Sequence, residues 1–169
     1  HQNTRWTYAE LKQKTDEYAA AFLALGLAPG ARIGIWSHNN VEWIITQFAS
    51  AKAGLVLVSI NPAYRRSELI YALNKVECQA LVFMPAHASS DYIDIVQSVA
   101  PELSSCAPGE LQCAAIPSLK TVVRLGAETT PGMLNFDALP THASPEHRKR
   151  IRQLADTLQP DDAINIQFT

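Results

Sequence analysis

Two successive arginines, Arg65 and Arg66, are the residues of this sequence best suited to binding chemistry. Their guanidiniums are planar forks of donors that match a phosphate or a carboxylate, so the pair could hold an anionic ligand. The same pair serves equally well as a solvated loop, and residue type alone leaves both readings open. His38 stands before Asn39 and Asn40. The asparagines could contact a ligand, but capping the helix that follows accounts for them. His38 has no acid or cysteine near it in sequence, which favours a surface or supporting role over catalysis. Cys78, Cys106 and Cys113 are odd in number, contain no CxxC and have no histidine at ligand spacing. Reduced thiols are therefore expected rather than a disulfide framework or a zinc site; a Cys106–Cys113 bridge across a loop is the alternative. Arg148, Lys149, Arg150 and Arg152 beside His147 read as a solvated helix face, with a docking surface as the alternative. The seven glycines form neither GxGxxG nor GxxxxGK. No nucleophile pairs with a base, and no carboxylates pair with each other. Taken alone, these residues describe a ligand-binding domain without a catalytic set.

The elements that must position them follow from periodicity. Thr7 and Glu10 form a T-x-x-E capping box, and Tyr8, Leu11, Thr15, Tyr18 and Phe22 then recur at helical spacing up to a stop at Gly26. A turn at Pro29-Gly30 leads to a strand through Ile33, Ile35 and Trp36. A helix is predicted over 41–53 with Trp43, Ile44, Phe48 and Ala51 as its apolar side; Trp43 and Phe48 are expected in the core rather than on a pocket wall. Leu55 to Ile60 is apolar up to Ser59, as in a strand covered on both faces. Asn61-Pro62 turns the chain, and Ser67 is expected to cap a helix carrying Leu69, Ile70 and Leu73. Further strands are predicted over 79–84 and 120–125, and a helix over 89–100. Residues 102–118 and most of 126–143 read as loop. Ser144-Pro145 marks a helix start. In "DDAINIQFT" (161–169) Ile164, Ile166 and Phe168 alternate with polar residues, the pattern of a half-buried strand.

Helix and strand alternate with short connections, so the predicted fold class is α/β: a doubly wound, mainly parallel sheet with helices on both faces. In such a sheet ligands bind outside the carboxyl ends of the strands. Here those ends are 37–40, 59–66, 85–90, the stretch after Leu125 and whatever follows Thr169. The 169 residues are 47% hydrophobic and 18% charged, with 14 basic and 16 acidic side chains and a net charge of -2. That composition excludes a disordered chain and shows no nucleic-acid footprint. No apolar run approaches the ~20 residues of a membrane span. The sequence begins "HQNTRWTYAEL", without Met and without the look of a signal peptide.

Several stretches, in order, resemble the amino-terminal part of adenylate-forming (AMP-binding) enzymes, in their fatty-acyl-CoA synthetase branch. "WTYAEL" resembles the family's opening helix and "LGLAPGARIGIWSHNNVEW" the strand-turn-helix after it. "SAKAGLVLVSINPAYRRSELIYALNK" is the most specific stretch, "CQALVF" continues it, and "INIQFT" resembles the strand entering the Ser/Thr/Gly-rich phosphate loop. The resemblance covers most of the chain and is weakest over 102–160. It implies that residues 1–169 form a partial amino-terminal AMP-binding domain, cut short before the phosphate loop. The parent would be an acid–thiol ligase with a fatty acid substrate, using ATP, Mg2+ and CoA. It would form an acyl-adenylate and then pass the acyl group to the CoA thiol. The resemblance places Thr169 first in the phosphate loop, in contact with ATP, and Tyr64, Arg65 and Arg66 near the CoA nucleotide. It places no catalytic residue within the chain, so the isolated segment is expected to be inactive. The remaining expectations are a cytoplasmic location, no nucleic-acid partner and a tendency to form homo-oligomers through a truncated sheet. A non-catalytic anion-binding module and an interaction protein docking through the 146–152 helix are the alternatives.

Overall fold

A computed structural model of the chain describes residues 4–87 and 90–168. Helix α1 (Tyr8–Ala24) begins at the expected box: the Thr7 hydroxyl accepts the Glu10 N–H at 3.2 Å, and the Glu10 carboxylate accepts the Thr7 N–H at 2.7 Å. β1 (Arg32–Trp36), α2 (Val41–Lys52), β2 (Val56–Ser59), α3 (Arg66–Lys75) and β3 (Ala80–Phe83) follow. A two-residue antiparallel ribbon, β4 (Ala86–His87) and β5 (Ser90–Asp91), leads into α4 (Tyr92–Val99). The chain then runs through β6 (Thr121–Arg124), β7 (Leu134–Asn135), α5 (Pro145–Ala155) and β8 (Asn165–Gln167), with 3-10 turns at Pro101–Ser104 and Phe136–His142.

Six strands form one sheet in the order β7-β6-β3-β1-β2-β8, and every neighbouring pair is parallel. Ile33 lies opposite Leu57 on one side and Ala80 on the other, and Val58 opposite Ile166. Because side chains alternate across a strand, Ile33, Ile35, Leu57, Val82 and Val123 face one layer of helices, α1, α2 and α5. Trp36, Val58, Leu81, Phe83 and Val122 face the other, α3 and α4. The doubly wound reading holds. Gly34 sits where the second layer comes closest: a methyl there would meet Ile60 Cδ1 at 3.0 Å and Leu81 Cδ1 at 3.2 Å.

Three expectations need correction. The buried side of α2 is Ile45, Thr46, Ala49 and Ser50, while Ile44 and Phe48 are 44% and 51% exposed. Thr46 and Ser50 can be buried because their hydroxyls donate back to the Glu42 and Gln47 carbonyls, at 2.7 and 3.0 Å. Small residues there suit close packing on α1, whose Ala19, Ala20 and Ala21 are all wholly buried in the same cluster. Tyr8, expected on the inner side of α1, is fully in solvent. Helix α3 starts at Arg66, with Arg65 in the cap position; the Glu68 carboxylate accepts the Arg65 N–H at 3.1 Å, and Ser67 is inside the first turn. Residues 102–118 lack regular structure apart from the first 3-10 turn, yet Leu103, Leu111, Cys113 and Ile116 are buried and close the α3–α4 layer. Phe136–His142, in the stretch read as mostly loop, winds into the second 3-10 turn. All three cysteines are free, two of them buried.

Candidate functional site

The sheet's connections reverse at β1. The chain passes from β1 to β2 on one side, then returns to place β3 on the other. A crevice at such a reversal, outside the strands' carboxyl ends, is where open α/β sheets bind ligands. The loop leaving β1 is built by its polar residues. Asn40 Oδ1 accepts the Trp43 N–H at 2.7 Å, as a cap should, and its amide donates to Ser37 Oγ at 2.8 Å. The Ser37 hydroxyl donates to the His38 carbonyl at 3.0 Å. The loop leaving β2 is an Asx turn, with Asn61 Oδ1 accepting the Ala63 N–H at 2.9 Å.

An aromatic pair beneath fixes that second loop. The Trp36 and Tyr92 rings stack with centroids 4.1 Å apart and planes 13° from parallel. The Trp36 indole N–H donates to the Asn61 carbonyl at 3.1 Å, and the Tyr92 hydroxyl to the Pro62 carbonyl at 2.7 Å. Burial pushes the Tyr92 hydroxyl pKa up, against the pull of the Arg65 guanidinium, so it stays a donor at neutral pH. Between the two loops and the end of β8 lies a cavity of about 450 Å³, lined by Ser37, His38, Asn39, Ser59, Asn61 and Gln167 among others. Four depressions are larger: two of about 620 and 890 Å³ run along helices, and two of about 530 and 510 Å³ are lined from residues 110–120 and around Arg32 and Glu77. The strand-end cavity is the candidate site because strand ends and loop amides converge there. Its wall combines hydroxyl, amide and imidazole groups with Trp43, Ile60, Pro62 and Phe168, and among the described residues no lysine or arginine lines it. Trp43, expected in the core, is half-buried and borders this cavity.

The residues singled out in the sequence divide. His38, Asn39 and Asn40 lie at the β1 end as expected, with Asn40 as the cap. Arg65 and Arg66 do not converge: the Arg65 guanidinium donates to Ser90 Oγ at 2.7 Å, and Arg66 Nε to the Ser98 carbonyl at 3.3 Å near the end of α4. Tyr64 is half-buried against the α3–α4 layer, its N–H bonded to the Asn61 carbonyl at 3.0 Å. Thr169 lies outside the described residues; its neighbour Phe168 borders the strand-end cavity. Ser59 opens the strand-end stretch 59–66 that the sequence offered, whereas Gln167 was missed as a site residue. It is the last residue of β8, which is the signal that could have found it. Also missed was Arg124 at the end of β6, 3% exposed, whose guanidinium bonds Thr130 Oγ1 at 2.8 Å and the Glu128 carboxylate at 3.2 Å. It orders the loop after β6. Among the described residues no group of three His, Cys, Asp or Glu side chains could hold a metal ion, and no described helix is long and apolar enough to cross a membrane.

The family model of AMP-binding enzymes matches residues 1–169. The chain belongs to the AMP-binding enzyme family. It is 41% identical over its whole length to a protein of Bos taurus named medium-chain acyl-CoA ligase ACSF2, mitochondrial, and 38% identical to the Macaca fascicularis protein of that name. It is 34% identical, over 99% of its length, to a putative acyl-CoA synthetase, YngI, of Bacillus subtilis. The chain spans 28%, 27% and 30% of those relatives, respectively. Among solved structures, the fatty acyl CoA synthetase of Mycobacterium tuberculosis superposes with a TM-score of 0.71 over 98% of this chain and 27% of its own, at 19% identity. The N-terminal domain of FACL13 from the same organism gives 0.71 over 99% of this chain and 36% of its own, at 18% identity. Both show the α/β fold of this AMP-binding segment.

Proposed function

We propose that this chain is the amino-terminal part of an ATP-dependent acyl-CoA ligase that activates a fatty acid as its acyl-adenylate and transfers the acyl group to CoA. The observation that carries the reading is the family match over residues 1–169, with relatives named as acyl-CoA ligases aligned along the whole chain. The strand-end cavity supports it physically. Hydroxyls and amides of Ser37, Asn39, Ser59 and Gln167 suit the polar, uncharged parts of a nucleotide, and the end of β8 delivers the chain to the cavity's edge. In this reading Thr169 opens the phosphate loop and its hydroxyl contacts ATP. Backbone amides and hydroxyls after it would hold the phosphates.

The chain's own residues form the wall of that pocket, with the loop after β1 held by Asn40 and Ser37 and the loop after β2 by the Trp36–Tyr92 pair. ATP supplies the electrophilic α-phosphorus and the pyrophosphate leaving group, and Mg2+ would balance phosphate charge. Among the described residues no three His, Cys, Asp or Glu side chains cluster, and a nucleotide-bound Mg2+ would be held chiefly by phosphate oxygens and water. Arg65, an exposed guanidinium at a helix start with its neighbour Tyr64, fits a CoA phosphate in chemistry. Arg66, turned toward the end of α4, fits less well. The segment alone is inactive in this reading, because the groups that stabilise charge on a transferring phosphoryl are outside it.

The test is acid-dependent pyrophosphate release by the full-length protein with ATP, Mg2+ and fatty acids of graded chain length, followed by thioester formation on adding CoA. Release with none of the acids overturns the reading. The mitochondrial label on the mammalian relatives stands beside the cytoplasmic expectation, and cell fractionation decides between them.

A further inference from the structure

Arg65 is held differently from Arg32 and Arg124. Those two pair with Glu77 at 2.9 Å and Glu128 at 3.2 Å, so a carboxylate balances each cation. The Arg65 guanidinium is exposed and makes no ion pair among the described residues. It donates from Nη1 to the neutral Ser90 hydroxyl at 2.7 Å. Acids stand close in sequence to both partners, yet each is engaged at a helix start. The Glu68 carboxylate accepts the Arg65 backbone N–H and the Ser67 hydroxyl, both at 3.1 Å. The Asp91 carboxylate accepts the Asp94 N–H at 3.1 Å, capping α4.

Both ends of this contact are anchored. The Arg65 carbonyl accepts the Leu69 N–H at 2.9 Å, the first bond of α3. The Pro85 carbonyl accepts the Tyr92 and Ile93 N–H groups at 2.8 and 3.2 Å, which closes the base of the β4–β5 ribbon that carries Ser90. The Tyr92 hydroxyl, bonded to the Pro62 carbonyl at 2.7 Å, ties that base to the loop leading into Arg65. A long side chain with many rotamers is thereby fixed by an acceptor that takes one of its five N–H groups and none of its charge. Such an arginine is oriented without being neutralised. A phosphate can then take the remaining donors without displacing a carboxylate, and little ordering is left to be done on binding.

We propose that Ser90 is a positioning residue for CoA binding: its hydroxyl holds the Arg65 guanidinium, still fully charged, for a phosphate of CoA. This rests on the reading of Arg65 as a CoA-phosphate contact and adds the residue that orients it. Calorimetric titration of the full-length protein with CoA tests it without turnover. Ser90→Ala is expected to weaken CoA binding about three- to tenfold, through the lost ordering of Arg65. Ser90→Thr keeps the hydroxyl and should stay within about twofold of wild type. Ser90→Asp would grip the guanidinium harder but cancel its charge, so binding should weaken at least about tenfold. A merely structural contact predicts the reverse order, with Asp better than Ala. In an Arg65→Gln background, Ser90→Ala should change the affinity by less than about twofold. Thioester formation on pantetheine, which carries no phosphate, should keep kcat/KM within about twofold of wild type in every variant. Melting within about 2 °C of wild type checks the fold. The inference is overturned by unchanged CoA affinity in Ser90→Ala, by wild-type affinity in Ser90→Asp, by equal losses with and without Arg65, or by a loss shared with pantetheine. Absence of CoA binding by the wild-type protein overturns it too. Pyrophosphate release without CoA judges the ligase reading separately. A protein that binds CoA with the expected variant pattern but releases no pyrophosphate keeps the role of Ser90 and loses the ligase.

Discussion

Removing one oxygen atom tests how the strand-end site is held. Tyr92→Phe deletes the hydroxyl that donates to the Pro62 carbonyl at 2.7 Å and leaves the ring stacked on Trp36. Pro62 is only half-buried, so water can partly replace the lost donor. A net hydrogen bond of this kind contributes about 1 kcal/mol, within a range of about 0.5–1.5. Trp36→Phe removes the indole N–H bond to Asn61 and shrinks a side chain that is wholly buried, for which about 2–3 kcal/mol is expected. Both bonds end on the same turn. Once either is gone the turn loosens, and the second loss should cost less than it would alone. The double variant is therefore expected to fall short of the sum by about 0.5 kcal/mol or more. Urea unfolding followed by far-ultraviolet circular dichroism measures all four species without relying on the tryptophan being changed. Each kcal/mol should also lower the melting temperature by about 2–4 °C for a chain of this size. A Tyr92→Phe variant within about 0.3 kcal/mol of wild type, together with additive losses, refutes the idea that the pair clamps the Asn61–Pro62 turn.

Other perturbations have equally definite outcomes. Gly132 has φ +72°, and an added Cβ would lie 2.2 Å from the Leu103 carbonyl oxygen, a backbone atom that cannot swing aside. Gly132→Ala should cost about 3 kcal/mol or more, and an unchanged urea midpoint contradicts this. Partial burial pushes the Asp16 pKa up, but hydrogen bonds and charge from Lys52 and Lys12 outweigh it and hold the carboxyl below the usual range. A carboxyl depressed in the folded state stabilises the fold above its unfolded pKa of about 3.9, and that contribution disappears as pH falls through the folded value. Asp16→Asn should thus cost up to about 1 kcal/mol at neutral pH. The difference from wild type should close at pH values below the carboxylate range; a gap that widens on acidification refutes the assignment. Burial pushes the Cys78 thiol up to about 12, and Cys113 is also buried, whereas Cys106 is half-exposed. A thiol reagent added to native protein should label Cys106 first and leave Cys78 until denaturant is present; equal rates at all three refute it.

Local chemistry was legible in the sequence where it is self-contained. Thr7 with Glu10 and Ser144 with Pro145 each mark a helix start within four residues, and both helices begin there. Of the alternating Ile164, Ile166 and Phe168, the last two pack on the α3–α4 layer, whereas β8 is only Asn165–Gln167 and Ile164 before it is 46% exposed. Failures occur where a distant partner decides. In α2, Ile44 and Phe48 look more apolar than Thr46 and Ser50, but it is the side with the smaller residues that is buried. Arg65 occupies the cap position of α3, which no preference for a capping side chain would choose; the Glu68 carboxylate satisfies its backbone N–H. The buried residues of 103–119 have no period because each fills a gap left by α3, α4 and β6 rather than lining a regular element.

The candidate site escaped motif reading for a related reason. Ser37, Ser59 and Gln167 are separated by more than a hundred residues from first to last, and only the parallel register of β1, β2 and β8 brings their ends together. A pocket assembled in this way has no signature in any one stretch. The lining also says how work is divided. Four or more negative charges of a nucleotide triphosphate cannot be held by hydroxyls and amides alone in a half-enclosed cavity, since buried charge needs pairing or dense hydrogen bonding. The guanidiniums of Arg65 and Arg66 are turned to Ser90 and Ser98, and Arg124 is already committed to Glu128 and Thr130. A wall this neutral can orient a nucleotide through its sugar and base, but cannot accelerate attack on its phosphorus. The ligase reading therefore needs phosphate-binding cations other than the described lining of this cavity. Ser59→Ala or Gln167→Ala in the full-length protein should then raise the KM for ATP several-fold, at most about 1 kcal/mol for each lost neutral hydrogen bond, with little change in kcat. A fall in kcat of a hundredfold or more in either variant, with KM unchanged, would mean that this wall touches the reacting phosphorus after all.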